Sequence, residues 1–383
     1  MQGAGGPGRM PRVLWVSLAQ EWSGAEESLL EILRCAQGTV GVAAPPGPFA
    51  ARLRDTGWDP LPLPAWTPAL AGGPGRWLAA GGGAYRLAQA VAAHARARAA
   101  DLLAANGLRA GMAVSLANGW PDVWAVRDNL LPGAAASLAR LLARRRRVTV
   151  VANSRFIQAQ CRGAFGPSVP VHAVHPGVRW PTGRACLRGQ IGAGAHAPVV
   201  GVVGQIAPWK RQLDAVRAAR IVRGVYPDLR LVVVGSPKFR PENRAYLARL
   251  VEEAQPDGVR TVFLGERSDL SVLYPDMDAL LVPSSAEPFG RVAAEALGYG
   301  VPVVGCAPGG LGEIVSSPER GRLVPTGDVF RLAGALLEVL AQGRLPLVAA
   351  AAARAEFGAE AAGQRWDAVL RAAVWGGHLG CAA

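Results

Sequence analysis

The sequence predicts an α/β protein built from two doubly wound parallel-sheet domains, and three observations carry that expectation. Short, almost wholly apolar runs rich in β-branched residues recur along the chain. Amphipathic helical stripes lie between several of them, which is the βαβ pattern. The 48 Gly and 30 Pro among 383 residues are scattered without a fixed period and read as turn punctuation.

The apolar runs fall at 13–16, 40–44, 148–152, 199–203, 231–234, 261–264, 279–282 and 301–304. Runs of four or five such residues suit strands buried on both faces. After the 199–203 run, Leu213, Val216, Ala219 and Val222 recur every three residues against Asp214, Arg217, Arg220 and Arg223, an amphipathic helix. After the 231–234 run, Tyr246, Leu247, Leu250, Val251 and Ala254 form another stripe. Two series result, each Rossmann-like: a first domain over 1–180, a linker over 181–198 containing Gly and Pro, and a second domain over 199–356. The terminal segment, 357–383, is expected to hold a helix with Trp366, Val369 and Leu370 on one face, able to pack back on the first domain. Neither half has a well-placed GxGxxG fingerprint, which disfavours a dinucleotide-dependent dehydrogenase. The ligand is expected between the domains, where strand C-terminal ends face one another.

Composition narrows the function classes. Half the residues are hydrophobic and 18% are charged, so a disordered chain is excluded. Lys and Arg number 41 against 28 Asp and Glu, a net charge of +13. Lys210 and Lys238 are the only lysines, so the excess reads as a biased composition with scarce acids, not as a nucleic-acid face. The run Arg144, Arg145, Arg146 and Arg147 leaves two readings open, a solvated surface or contact with an anionic membrane or acceptor. Cys35, Cys161, Cys186, Cys306 and Cys381 are odd in number and far apart, which fits neither a disulfide framework nor a zinc site and points to a reducing, cytoplasmic setting. The first ten residues lack the apolar core of a signal peptide, and Met10 is a second candidate start. No apolar stretch is long enough to span a bilayer, so membrane contact is expected to be peripheral, at the inner face. The five His form no metal constellation; His172 and His175 would occupy opposite faces of a strand. Asp276-Met277-Asp278 reads as a solvated turn, and no Ser-His-Asp machinery is recognisable.

Chemistry concentrates in PSSAEPFGRVAAEALGYGVPVVG, 283–305. Glu287 precedes a Pro-Phe-Gly turn and Glu295 lies inside the helix expected to follow. Gly290 permits close approach of a ligand to the backbone, and the amides near Arg291 and Val292 open a helix N-terminus that attracts a phosphate. Two solvated helix-end acids are the plainer alternative.

Glu287-Pro288-Phe289-Gly290, the spacing to Glu295 and the following Ala296-Leu297 resemble the E-x7-E signature of the family 4 glycosyltransferases, retaining enzymes of the two-domain GT-B fold. The likeness extends through the 278–284 segment before the motif and through 308–315 and 321–328 after it. It implies that Glu287 contacts the transferred sugar and Glu295 the ribose hydroxyls. Carboxylates suit vicinal hydroxyls but would repel a diphosphate. Gly204-Gln205-Ile206-Ala207-Pro208-Trp209-Lys210 resembles the strand-end loop whose Arg and Lys grip the diphosphate. Lys210 would then stabilise the departing nucleoside diphosphate, while Gln205, standing where the family has Arg, can hydrogen-bond a phosphate but brings no charge. A surface lysine at a helix start is the alternative.

In the first half, Ser23-Gly24-Ala25-Glu26 resembles the loop whose Gly faces the diphosphate, although the same residues also suit an ordinary helix start. Asn106-Gly107-Leu108-Arg109 and Trp124-Ala125-Val126-Arg127-Asp128 resemble acceptor-side loops, with Ala125 where relatives often carry His. Arg127 is open between an anionic-acceptor contact and a surface ion pair with Asp128. Ser154 is open between the family's strand-to-helix step and a simple N-cap.

The resemblance thus implies a retaining glycosyltransferase using a UDP- or GDP-sugar donor. It implies no tightly bound cofactor, no required metal, and an acceptor hydroxyl on a sugar, a lipid-linked molecule or a small metabolite. Nucleotide contacts would come from Gly24, Gln205, Gly290, Val292 and Glu295, and catalysis from Lys210 and Glu287. The alternative is a nucleotide-sugar-binding protein of the same fold that has lost transfer.

Overall fold

The computed structural model describes residues 9–66, 74–130, 134–183, 186–238, 240–255 and 260–376; Cys381 and the first eight residues lie outside them. The chain divides into two compact units, one running to Gly177 and resuming at Ala359, the other comprising Val178–Gly358.

The N-terminal unit holds a parallel sheet of β1 (Val13–Ser17), β2 (Thr39–Ala44), β3 (Leu61–Pro62), β4 (Leu102–Asn106), β5 (Asp122–Val126), β6 (Thr149–Ala152) and β7 (Val171–Ala173). Their order is β3-β2-β1-β4-β5-β6-β7. Side chains alternate across a strand, so β1 feeds two cores. Leu14 and Val16 pack with Leu87, Val91 and Trp124 on one face, Val13 and Trp15 with Leu30, Ile32 and Trp366 on the other. The second face is completed by the helix Ala359–Trp375, where the Trp15 and Trp366 rings meet edge to face at 5.3 Å. Asp367 Oδ1 accepts from Gln37 N at 2.9 Å beside them.

The C-terminal unit holds β8 (Val199–Val203), β9 (Arg230–Val234), β10 (Arg260–Gly265), β11 (Ala279–Val282), β12 (Val303–Ala307) and β13 (Gly321–Pro325), also parallel. Their order is β10-β9-β8-β11-β12-β13. The chain changes direction across the sheet between β8 and β11, the kind of switch point where open α/β sheets place ligands. Val199 and Val203 enter one core with Leu280, Ala293 and Leu297, and Val200 and Val202 the other with Val216, Ala219 and Leu332. Burial on both faces is the physical reason these strands read as unbroken apolar runs.

Several expectations are corrected. Trp124, Ala125 and Val126, expected in a loop, form β5 and are buried; Trp124 lies edge to face with Phe165 at 6.2 Å. The run expected at 301–304 pairs from Val303 onward, because Pro302 has no N–H and contributes only its carbonyl, which accepts from Leu280 N at 2.9 Å. Residues 181–198, expected as a linker, belong to the C-terminal unit: Leu187 is buried in its core. Asp276 and Asp278 are structural fasteners, not a solvated turn. Asp276 Oδ2 accepts from Arg188 N at 3.0 Å, and Asp278 Oδ2 accepts from Arg188 Nη2 and Val199 N, both at 2.8 Å. β7 ends at Ala173, so His175 lies beyond the strand. Among the described residues no single helix is long and apolar enough to cross a membrane.

Candidate functional site

The site grows from the C-terminal ends of β8 and β11. Gly204 and Gly235 close the ends of β8 and β9 with φ of +140° and +149°, and a Cβ on Gly235 would stand 1.8 Å from the Gly204 carbonyl oxygen. That approach requires glycine. The chain then turns through Pro208–Lys210, where Lys210 N donates to Ala207 O at 2.9 Å. Arg211 takes a left-handed conformation with φ of +53°, held by its ion pair to Asp214 at 2.6 Å, and starts the helix Gln212–Val222. The Lys210 ammonium is thereby aimed at Glu287: Nζ lies 2.8 Å from Oε2, with the two side chains only 14% and 9% exposed. The same Nζ stands 4.3 Å from the centre of the Trp209 ring, a second stabilising contact for a cation.

Glu287 is fixed through its backbone. Its carbonyl accepts from Gly310 N at 2.7 Å, while Ser285 N donates to Trp209 O at 2.8 Å and ties the Glu287 loop to the Lys210 loop. Gly290 then caps the helix Arg291–Gly298 at φ of +102°, with a would-be Cβ 2.5 Å from Leu311 Cδ2. No side chain caps this N-terminus. Glu295 occupies the fifth position of the helix, one oxygen accepting from Arg291 Nε at 2.8 Å and the other from Tyr274 O–H at 2.9 Å. Tyr274 is 1% exposed. Burial, and then the negative charge of Glu295, push its phenol well above the ordinary range, so it stays a proton donor to that carboxylate.

The structure therefore brings Lys210 and Glu287 into contact, although 77 positions separate them. Gly290, Val292 and Glu295 share the adjoining helix start. Gln205 is committed elsewhere: its Nε2 donates to Lys238 O at 3.1 Å, and its own carbonyl accepts from Gln212 Nε2 at 2.8 Å. The sequence reading missed Trp209, Tyr274 and Arg291. The i,i+4 spacing of Arg291 and Glu295 was a usable signal; nothing local pointed to Tyr274. It also missed Ser284, buried just after β11, whose hydroxyl finds no hydrogen-bond partner among the described residues.

Gly24 lies in the N-terminal unit as the first residue of the helix Gly24–Cys35, and no atom stands within 4 Å of its would-be Cβ. Ser23 caps that helix, its Oγ accepting from Ala25 N at 3.3 Å and donating to a carboxylate oxygen of Glu26 three positions on. Asn106 Nδ2 donates to Glu26 Oε1 at 3.3 Å, Arg127 Nε to Asn106 Oδ1 at 2.8 Å, and Asn153 Nδ2 to Arg127 O at 3.0 Å. Arg127 is 8% exposed, so it belongs to this buried polar chain and not to a surface ion pair. Burial raises the carboxyls of Glu26 and Asp128 above their usual range, against the pull of Ser23 and Arg127 respectively. Ser154 is an N-cap, accepting from Ile157 N at 3.0 Å. Among the described residues no group of three or more His, Cys, Asp and Glu is placed to hold a metal ion.

Comparison with known proteins bears on the same unit. Residues 186–356 match the model of the glycosyl transferases group 1. A D-inositol 3-phosphate glycosyltransferase of Mycolicibacterium paratuberculosis is 36% identical over 207 residues, 51% of this chain and 44% of the relative, so the match spans less than half of that protein. Among solved structures, Anabaena Alr3699/HepE in complex with UDP and glucose aligns with a TM-score of 0.78 at 25% identity, covering 94% of this chain and 99% of that one. The sucrose-phosphate synthase of Thermosynechococcus elongatus aligns at 0.72 over 95% of this chain with 19% identity, a likeness of fold alone. Two parallel-sheet Rossmann-like units in this sequence match the GT-B fold, and residues 186–356 match the model of the glycosyl transferases group 1.

Proposed function

We infer that the chain is a retaining, metal-independent glycosyltransferase of family 4 that moves a sugar from a UDP- or GDP-sugar to an acceptor hydroxyl in the cytoplasm. The observation that carries the reading is the Lys210–Glu287 ion pair at the end of β8, beside a helix start without a side-chain cap. Lys210 has three donors and Glu287 takes one, so the ammonium can turn to a donor diphosphate while remaining near the carboxylate. Negative charge grows on the leaving phosphate as the glycosidic bond breaks, so a fixed cation stabilises that state more than the ground state. The helix start at Gly290 and Val292 offers backbone amides to the same group. Glu287, freed from the lysine, accepts hydroxyls of the transferred sugar, and Glu295 those of the ribose. Retention follows if the acceptor hydroxyl attacks from the face that the diphosphate leaves. UDP-glucose is the first donor to try, since the Anabaena relative was crystallised with UDP and glucose. An inositol phosphate is a reasonable first acceptor on the same kind of ground.

One observation favours a second reading, a binder that has lost transfer: Gln205 brings no charge and its side chain is spent on the Lys238 carbonyl. Thermal shifts with UDP, GDP and their sugars, followed by donor turnover, separate the two. For the enzyme, Lys210→Ala lowers turnover by about 10²–10³-fold. Nucleotide binding without turnover, unchanged by Lys210→Ala, establishes the binder; no nucleotide binding at all ends both readings.

A further inference from the structure

Lys210 and Glu287 project from one closed ring of contacts within the C-terminal unit. Trp209, Lys210 and Arg211 are consecutive, and Trp209 O accepts from Ser285 N at 2.8 Å, two residues before Glu287. Thr326 Oγ1, in the turn after β13, lies 3.2 Å from the Ser285 carbonyl oxygen and 3.2 Å from that of Ala307, sharing its one proton between them. Gly327 follows with φ of +87°, and a Cβ there would stand 3.1 Å from Arg211 Nη2. The guanidinium therefore lies against this turn and completes the circuit.

Arg211 occupies a conformation that glycine adopts more readily. At φ of +53° and ψ of +38° its Cβ crowds the following carbonyl, a cost that glycine escapes. Its backbone is already spent on the local turn: the N–H donates to Pro208 O at 3.1 Å and the carbonyl accepts from Asp214 N at 2.9 Å. What the side chain adds is a grip beyond that turn. Its Nε donates to Asp214 Oδ2 at 2.6 Å, where Asp214 is 8% exposed in the first turn of the helix Gln212–Val222. Arg211 is thus held by the helix start on one side and by the Gly327 turn on the other. A lysine ammonium rides on a flexible four-carbon stem, so its place depends on the direction in which the backbone launches that stem. For Lys210 that direction is set together with the conformation of its neighbour.

We propose that Arg211 is a positioning residue for Lys210: clasped by Asp214 and lodged against Gly327, it sets where the ammonium stands between Glu287 and the Trp209 ring. The placement is a property of the fold, and only its kinetic consequence rests on the catalytic reading above.

The chain has two lysines, so lysine labelled with 13C at Cε gives two resonances, and Lys210→Arg identifies one of them by its loss. Because Nζ stands 4.3 Å from the centre of the Trp209 ring, the ring current displaces the Lys210 signal upfield. Arg211→Gly, which accepts the same φ, should lose most of that displacement while the Lys238 signal stays in place. Asp214→Asn removes the clasp from its other end with little change of shape and should act likewise. The double variant should move the signal no further, because the two residues work as one unit. With a UDP-sugar that the parent turns over, Arg211→Gly should lower kcat about tenfold with donor KM little changed. An unmoved Lys210 signal in both single variants overturns the proposal. So does joint movement of the Lys210 and Lys238 signals, the mark of general loosening. A parent that turns over no donor ends the catalytic reading and leaves the resonance test standing.

Discussion

The two units treat charge differently. In the C-terminal unit most acids meet an arginine or lysine: Arg188 with Asp278, Arg217 and Arg220 with Glu253, Arg320 with Glu356, Arg322 with Glu338. The carboxyls of Glu253 and Asp269 accordingly sit below their usual range, held there by Arg217 and Arg267. The N-terminal unit instead buries Glu26, Asp122 and Asp367, and burial raises all three. On its helix Ala134–Arg146 the exposed Arg140, Arg144 and Arg145 make no ion pair among the described residues, and Arg144 Nε instead donates to Phe165 O at 3.2 Å. The C-terminal unit neutralises most of its acids in ion pairs; the N-terminal unit pairs some, Asp101 with Arg9 and Glu31 with Arg34, and also holds buried acids whose carboxyls desolvation raises.

The largest expected effect sharpens this contrast at Asp122, whose carboxyl burial pushes up to about 6 against the pull of Ser115 and Arg146. The folded chain binds this proton more tightly than the unfolded one. Stability from the group is therefore complete below about pH 4 and falls by about 2–3 kcal/mol as pH rises through 6. Denaturant unfolding of Asp122→Asn at pH 4 and 6.5 should lack that decline relative to the parent, and parallel curves would break the contrast. At the site, Tyr274 is a positioning residue for Glu295. Tyr274→Phe should raise the donor KM about tenfold with kcat little changed, the weight of one hydrogen bond to a charged group. It should also reduce the preference for ribose over 2′-deoxyribose donors, a shift that general loosening would not produce. The smallest effect carries the opposite pH sign. Glu253→Gln should lower stability by about 0.2–1 kcal/mol at neutral pH, an effect that disappears as pH falls below the usual carboxylate range and in high salt.

Legibility in the sequence also differs between the units, for a physical reason. β8 and β11 were readable to the residue because Val-Val-Gly-Val-Val and Ala-Leu-Leu-Val are buried on both faces and bounded by turn residues. β4 is Leu-Leu-Ala-Ala-Asn, whose Ala and Leu favour helix, so tertiary burial overrides propensity there. β5 was hidden by its likeness to a loop, although Trp124 is fully buried. At the site, Glu287, Glu295 and Lys210 were legible as residue types in ordered segments. That Lys210 reaches Glu287 follows from the adjacency of β8 and β11, which spacing alone does not encode. Tyr274 belongs to a short turn before β11 and reaches Glu295 only through the fold.

The helix Ala359–Trp375 reverses the order in which the chain can mature. The nascent N-terminal sheet emerges first, yet the partner that covers Trp15 is translated only after the 181 residues from Val178 to Gly358. At bacterial-like elongation rates that is a wait of roughly 10–40 s. During it the contiguous second unit has everything it needs to collapse, while the first carries an unroofed aromatic face. A premature stop just before Ala359 would thus yield a finished C-terminal unit joined to a sticky, incomplete N-terminal one, and such a product is a natural client for chaperones.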